Sequence, residues 1–161
     1  MKTETMFYDI GRWTVLIVAV FMRLFMFGGS GESSADAREV ADAVIATMDM
    51  DAMLEADNQL IKRFYGLDPA SFESCILYYP NTNMMAEEVL IVKLADVSQQ
   101  EQVRAACEKR IATQKTTFEG YGVEQFEMLE NNAIIDVRGN FVLFVVNPNA
   151  KDAQAAFRGA L

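Results

Sequence analysis

The feature that most constrains this chain is a pair of apolar runs, Ala133 to Arg138 and Phe141 to Val146, separated only by Gly139-Asn140. Glycine at the first position of a two-residue loop is the pattern of a type II′ hairpin, whose backbone twist matches that of the flanking strands. The turn sets the register. Val137 falls opposite Val142 and Ile135 opposite Phe144 on one face, while Arg138 faces Phe141 and Asp136 faces Leu143 on the other. An antiparallel sheet is therefore built into the fold, and a one-residue slip would turn every side chain to the wrong side.

A second pair of strands precedes it. Cys75-Ile76-Leu77-Tyr78-Tyr79 ends at Pro80, and Val89 to Leu94 follows after a loop from Pro80 to Glu87. Helical spacing surrounds the pairs. Asp36 with Glu39 reads as a capped start, followed by the stripe Val40, Val44 and Met48. Asp51 reads as the cap of a second helix carrying Met53, Leu54, Leu60, Ile61 and Phe64, closed by Gly66, with Asp68-Pro69 starting one short turn more. Ser98-Gln99-Gln100-Glu101 has the form of a capping box for the longest helix, with Val103, Cys107 and Ile111 on its stripe and Gly120 and Gly122 at its end. Asn147-Pro148 opens a last helix with Ala153 and Phe157 on its apolar side.

The order α-α-β-β-α-β-β-α predicts an α+β domain, a four-stranded antiparallel sheet with helices mainly on one face. Leu90, Val92 and Leu94 face those helices with Ile135, Val137, Val142 and Phe144. The other face carries Val89, Ile91, Lys93, Ile134, Asp136, Arg138, Phe141, Leu143 and Val145, too apolar to be simply wet. Either the two N-terminal helices cover it or a partner does.

Composition narrows the chemistry. The 161 residues contain no His, which removes Ser-His-Asp and Cys-His triads and imidazole zinc sites. A net charge of −9 argues against a nucleic-acid partner. Ahead of the domain, Trp13 to Phe27 is apolar except for Thr14 and Arg23, preceded by Lys2 and Arg12 and followed by Gly28-Gly29-Ser30-Gly31-Glu32-Ser33-Ser34. As a helix it would span about 22 Å, short of the roughly 30 Å hydrocarbon core. Residues 1–34 read as a signal or short membrane anchor plus a tether, and residues 35–161 as the domain, outside the cell membrane or secreted if the leader is cleaved.

Candidate sites are few. Gly120-Tyr121-Gly122 follows a helix C-terminus, where carbonyls rather than amides project, so it does not suit an anion. Asp49, Asp51, Glu55 and Asp57 lack the third ligand and the glycine of a calcium loop. Glu87 and Glu88 are adjacent carboxylates, but neighbours on a strand point to opposite faces and would not share a substrate. Cys75 and Cys107 sit in apolar patterns as buried thiols. Lys93, Asp136 and Arg138 on the outer face form either an ordinary cross-strand charge group or a binding surface over a floor of Ile91, Phe141 and Leu143. Tyr121 is a further candidate. No phosphate loop, zinc spacing or dinucleotide fingerprint is present, so no cofactor, metal or catalytic residue is assigned.

Several strings carry a likeness. They are Ser34-Ala35-Asp36-Ala37 leading into Val40-Ala41-Asp42-Ala43-Val44, then Ala86-Glu87-Glu88-Val89, Lys115 to Phe118 with Tyr121, and Val137 to Leu143. In order and spacing they resemble the family of domain of unknown function 4358, small exported proteins of Gram-positive anaerobes, across residues 34–161. Many members carry a lipoprotein Cys before the Gly/Ser stretch, where this chain has Phe27, and a Pro two residues after the Tyr, where it has Val123. The resemblance implies location and domain extent and supplies no catalytic residue.

The expectation is an exported or membrane-tethered, non-enzymatic module binding a protein or envelope component through the outer sheet face and the Pro80 to Glu87 loop. The alternative is a small-ligand sensor or accessory domain with a pocket between the N-terminal helices and the sheet, lined by Tyr78, Tyr121 or Arg138.

Overall fold

Alternating side chains in the two apolar hairpins build the sheet that positions everything else. A computed structural model describes residues 31–161. Its strands are β1 (Met53–Glu55), β2 (Ser74–Pro80), β3 (Glu88–Lys93), β4 (Ala133–Arg138) and β5 (Phe141–Val146). Its helices are α1 (Ala37–Ile45), α2 (Asn58–Tyr65), α3 (Gln100–Phe118), α4 (Val123–Asn131) and α5 (Ala150–Gly159). All strand pairs are antiparallel, in the spatial order β1-β2-β3-β5-β4. The β4–β5 register is the one the Gly139-Asn140 turn dictates, with Val137 opposite Val142 and Asp136 opposite Leu143. Gly139 supplies the positive φ, +53°, that this turn requires.

The α+β class stands, and four details differ. The sheet has five strands rather than four, because Met53–Glu55 is extended and pairs with β2 instead of opening a helix. Asp49 takes up the Asp51 amide (2.9 Å), and the helix begins only where Asp57 accepts from the Leu60 amide (2.8 Å). A three-residue edge strand has no room for a period. Helix α4 is also additional, its Gly122 start hidden in what reads as the end of α3. The capping box lies two residues earlier than expected. Asp96 accepts from Ser98, and Gln99 accepts from the Ala95 and Asp96 amides, opening a short 3-10 turn before α3.

The fourth difference concerns the layers. Helices cover both faces of the sheet, not mainly one. Leu77, Leu90, Val92, Val142 and Phe144 pack with Ile61 and Tyr65 of α2, Val103, Cys107 and Phe118 of α3, and Leu129 of α4. The opposite face, Ile76, Val89, Ile91, Phe141, Leu143 and Val145, packs under Val40, Ala41 and Val44 of α1 and Ala150, Ala153 and Phe157 of α5. Strands β3 and β5 are consequently buried along their whole length. The physical reason is the apolar content of that outer face, which only a second layer can keep from water. Of the stretch expected to be a tether, Ser33 is fixed to the hairpin. Its amide donates to Asn140 Oδ1 (2.8 Å), and Asn140 Nδ2 donates back to its carbonyl (3.1 Å). The apolar segment 13–27 lies outside the described residues.

The ring of Phe157 is sealed edge-on against Phe141 at 6.5 Å. Phe157→Ala is expected to destabilise the domain by about 3–5 kcal/mol in urea unfolding. A loss below about 1 kcal/mol would mean that α5 does not seal this face.

Candidate functional site

The strand period that sends Leu90 and Val92 toward α2 and α3 sends Glu88 there as well, and its side chain is fully buried. A carboxylate in that position needs partners. Tyr65, at the end of α2, donates its hydroxyl to Glu88 Oε1 at 2.5 Å. Arg110 of α3 donates Nε to both oxygens (3.2 and 3.0 Å) and Nη2 to Oε2 (2.9 Å). Gln114, one turn further along α3, donates Nε2 to Oε2 at 2.7 Å. Spacing of i, i+4 brings Arg110 and Gln114 to the same side of the helix. The guanidinium of Arg110 lies over the Phe64 ring at 4.2 Å.

Burial pushes the Glu88 carboxyl above its ordinary range, against the opposing pull of Arg110, Tyr65 and Gln114. Burial, then the Glu88 charge, pushes the Tyr65 phenol well up. Glu87 points the other way, accepting from Asn147 Nδ2 at 3.0 Å, so the two adjacent carboxylates sit on opposite faces as strand geometry requires.

Arg110 and Gln114 of this cluster form the floor of a cleft of about 340 Å³, with Glu88 behind them. Phe64 and Tyr79, packed edge to face at 6.0 Å, make an aromatic wall. The loop after β2, from Pro80 to Asn83 with Met85, makes the rim, and Thr117 and Phe118 of α3 close the side. Two polar groups of the floor are uncommitted among the described residues. Gln114 Oε1 is buried with no hydrogen-bond partner. Its assignment as oxygen follows from chemistry, since the ionised Glu88 oxygen beside the amide accepts only from the NH₂ end. Arg110 uses Nε and Nη2 on Glu88, and its Nη1 donates to no described residue.

The residues expected to form a binding surface lie elsewhere. Phe141 is completely buried beneath α5, and Lys93 is buried, paired with Glu73 at 2.6 Å and set over the Phe141 ring. The expected Asp136–Arg138 pair forms at 3.1 Å, and α5 adds Arg158 at 2.6 Å and Gln154 at 2.8 Å to the other Asp136 oxygen. That ties β4 to α5. Tyr121 is exposed at the α3–α4 turn, its ring against Phe118 on the other side of the sheet from Asp136. These five do not form one site. Tyr78, Tyr121 and Arg138 do not line the cleft either; the Tyr78 hydroxyl accepts from Arg38 at 3.0 Å. Burial pushes the Cys75 thiol up to about 12 and Cys107 higher still, so both are neutral thiols at pH 7.

Arg110 and Gln114 escaped the sequence reading, yet a signal existed. The buried positions of α3 are Val103, Cys107, Gln114 and Phe118, so a polar residue stands on the apolar stripe.

Because its folded carboxyl lies above the unfolded value of 4.5, Glu88 takes up a proton on folding in the window above pH 4.5. Its contribution to stability therefore falls as pH rises through that window. Melting curves of wild type and Glu88→Gln across pH 4.5 upward should show the wild type losing stability relative to the variant. The opposite slope would mean that Arg110, Tyr65 and Gln114 outweigh burial.

Comparisons with known proteins place this chain in a family. No curated protein matches the chain, and no solved structure matches it. A family model described as Domain of unknown function (DUF4358) matches residues 46–147, a span that includes β1 to β5, the whole of α2 to α4 and every residue lining the cleft. The chain belongs to the DUF4358 family.

Proposed function

We propose that this chain is an exported, membrane-tethered, non-catalytic domain that binds a small polar ligand in the cleft between α2, α3 and the β2–β3 loop. The observation that carries the reading is the pair of uncommitted groups at its floor, Gln114 Oε1 and Arg110 Nη1, under an aromatic wall. Binding sites of this kind combine an apolar lining with a few placed polar groups. Both side chains are already held by Glu88, so a ligand would meet them with little ordering cost.

The covered outer face weighs against a protein partner there, whereas the Pro80 to Glu87 loop keeps a role as the rim. The non-catalytic part of the reading is supported by the lining, which holds no nucleophile beside a base. Glu88 lies behind the floor, committed to three side chains. Export rests on the apolar segment 13–27 and its basic flank.

Thr117 is exposed on the cleft wall, so Thr117→Trp fills the cleft without entering the core. The full chain, screened by ligand-observed NMR against mixtures of envelope fragments and small metabolites, should give hits that this variant loses by at least about tenfold. Its stability should stay within about 0.5 kcal/mol of wild type. Hits that survive Thr117→Trp would overturn the cleft as the site.

A further inference from the structure

Resting on the cleft reading, we infer that the group recognised at its floor is a neutral amide, with its C=O accepting from Arg110 Nη1 and its N–H donating to Gln114 Oε1. The inference comes from what the floor offers and what it lacks. It offers one acceptor, Gln114 Oε1, which is buried and has no partner among the described residues. It offers donors from Arg110, whose Nη1 has no acceptor among the described residues. A ligand that satisfies both must carry a donor and an acceptor.

Charge removes the ionised candidates. Glu88 and Arg110 are in direct contact at 2.9 Å, so the one charged group of the floor, the Arg110 guanidinium, is already balanced by a carboxylate behind it. A carboxylate or phosphate would approach an arginine already neutralised, with Glu88 just behind it. An ammonium group would suit Gln114 Oε1 but would face the guanidinium. Ionised groups would therefore lose hydration without gaining a countercharge. A planar amide carries both functions and no net charge. Its alkyl side has the Phe64 and Tyr79 rings to pack against.

Two sources present such a group, an N-acetylated amino sugar and a peptide. Calorimetric titration of the full chain in detergent with N-acetylglucosamine against glucose, and with N-acetylalanine methylamide against ethyl acetate, separates them. At least one amide probe should bind about tenfold or more tightly than its matched partner. Whichever amide binds identifies the source. Its binding should be lost in both Gln114→Met and Thr117→Trp. Should Gln114→Met fail to fold, the amide-versus-control comparison on wild type still decides.

Equal binding of amide and control, lost in Thr117→Trp but kept in Gln114→Met, would overturn the amide assignment and leave the cleft standing. Binding indifferent to Thr117→Trp would overturn both. Silence from every probe would also overturn the amide assignment.

Discussion

A single buried carboxylate joins three parts of this domain. Glu88 stands at the first position of β3, the central strand of the sheet, and takes hydrogen bonds from the end of α2 and from two turns of α3. Around it the packing is apolar, so each helix is oriented by polar geometry on top of a surface-area term that has no direction. Desolvation disfavours its charged form more strongly than its partners favour it. Buried ion clusters of this sort are frequently no more stabilising than apolar residues of the same volume. What the cluster adds is definition. Arg110 is fixed by Glu88 and by the Phe64 ring, and Gln114 by Glu88, so both side chains are held in one orientation.

Much of the fold was legible because it is written in periods. The two-residue turn at Gly139-Asn140 and the strand alternation were enough to pair β4 with β5 and to sort Leu90, Val92, Val142 and Phe144 onto one face. What period cannot convey is length and layer. Met53–Glu55 is too short to alternate, and its strand identity comes entirely from its pairing with Tyr78 to Pro80. Helix α4 begins at a glycine that also looks like a stop. Cover on the second face depends on where α5 returns. That is a tertiary outcome, although the apolar outer face already demanded either a layer or a partner.

The candidate site was less legible for a related reason. Charged residues on a hairpin face advertise themselves, and Asp136 with Arg138 drew attention although the pair serves to fasten β4 to α5. Polar residues on a long, mostly solvated helix do not stand out. Arg110 and Gln114 differ from their neighbours only in lying on the line that runs through Cys107 and Phe118.

The two buried carboxylates show how exposure separates fastening from recognition. The Asp136 partners Arg138 and Arg158 are 39% and 47% exposed, so their ion pairs are screened by water and contribute little beyond holding elements together. Arg110 is 15% exposed and Glu88 not at all, so their fields act in a medium of low polarisability. There an unmatched acceptor such as Gln114 Oε1 has a high cost while empty-handed and a correspondingly large gain from a fitting donor. Selectivity in such a place comes less from attraction than from the penalty on ligands that leave it unmatched. That asymmetry depends on burial, and it would be absent if the same residues lay at the surface.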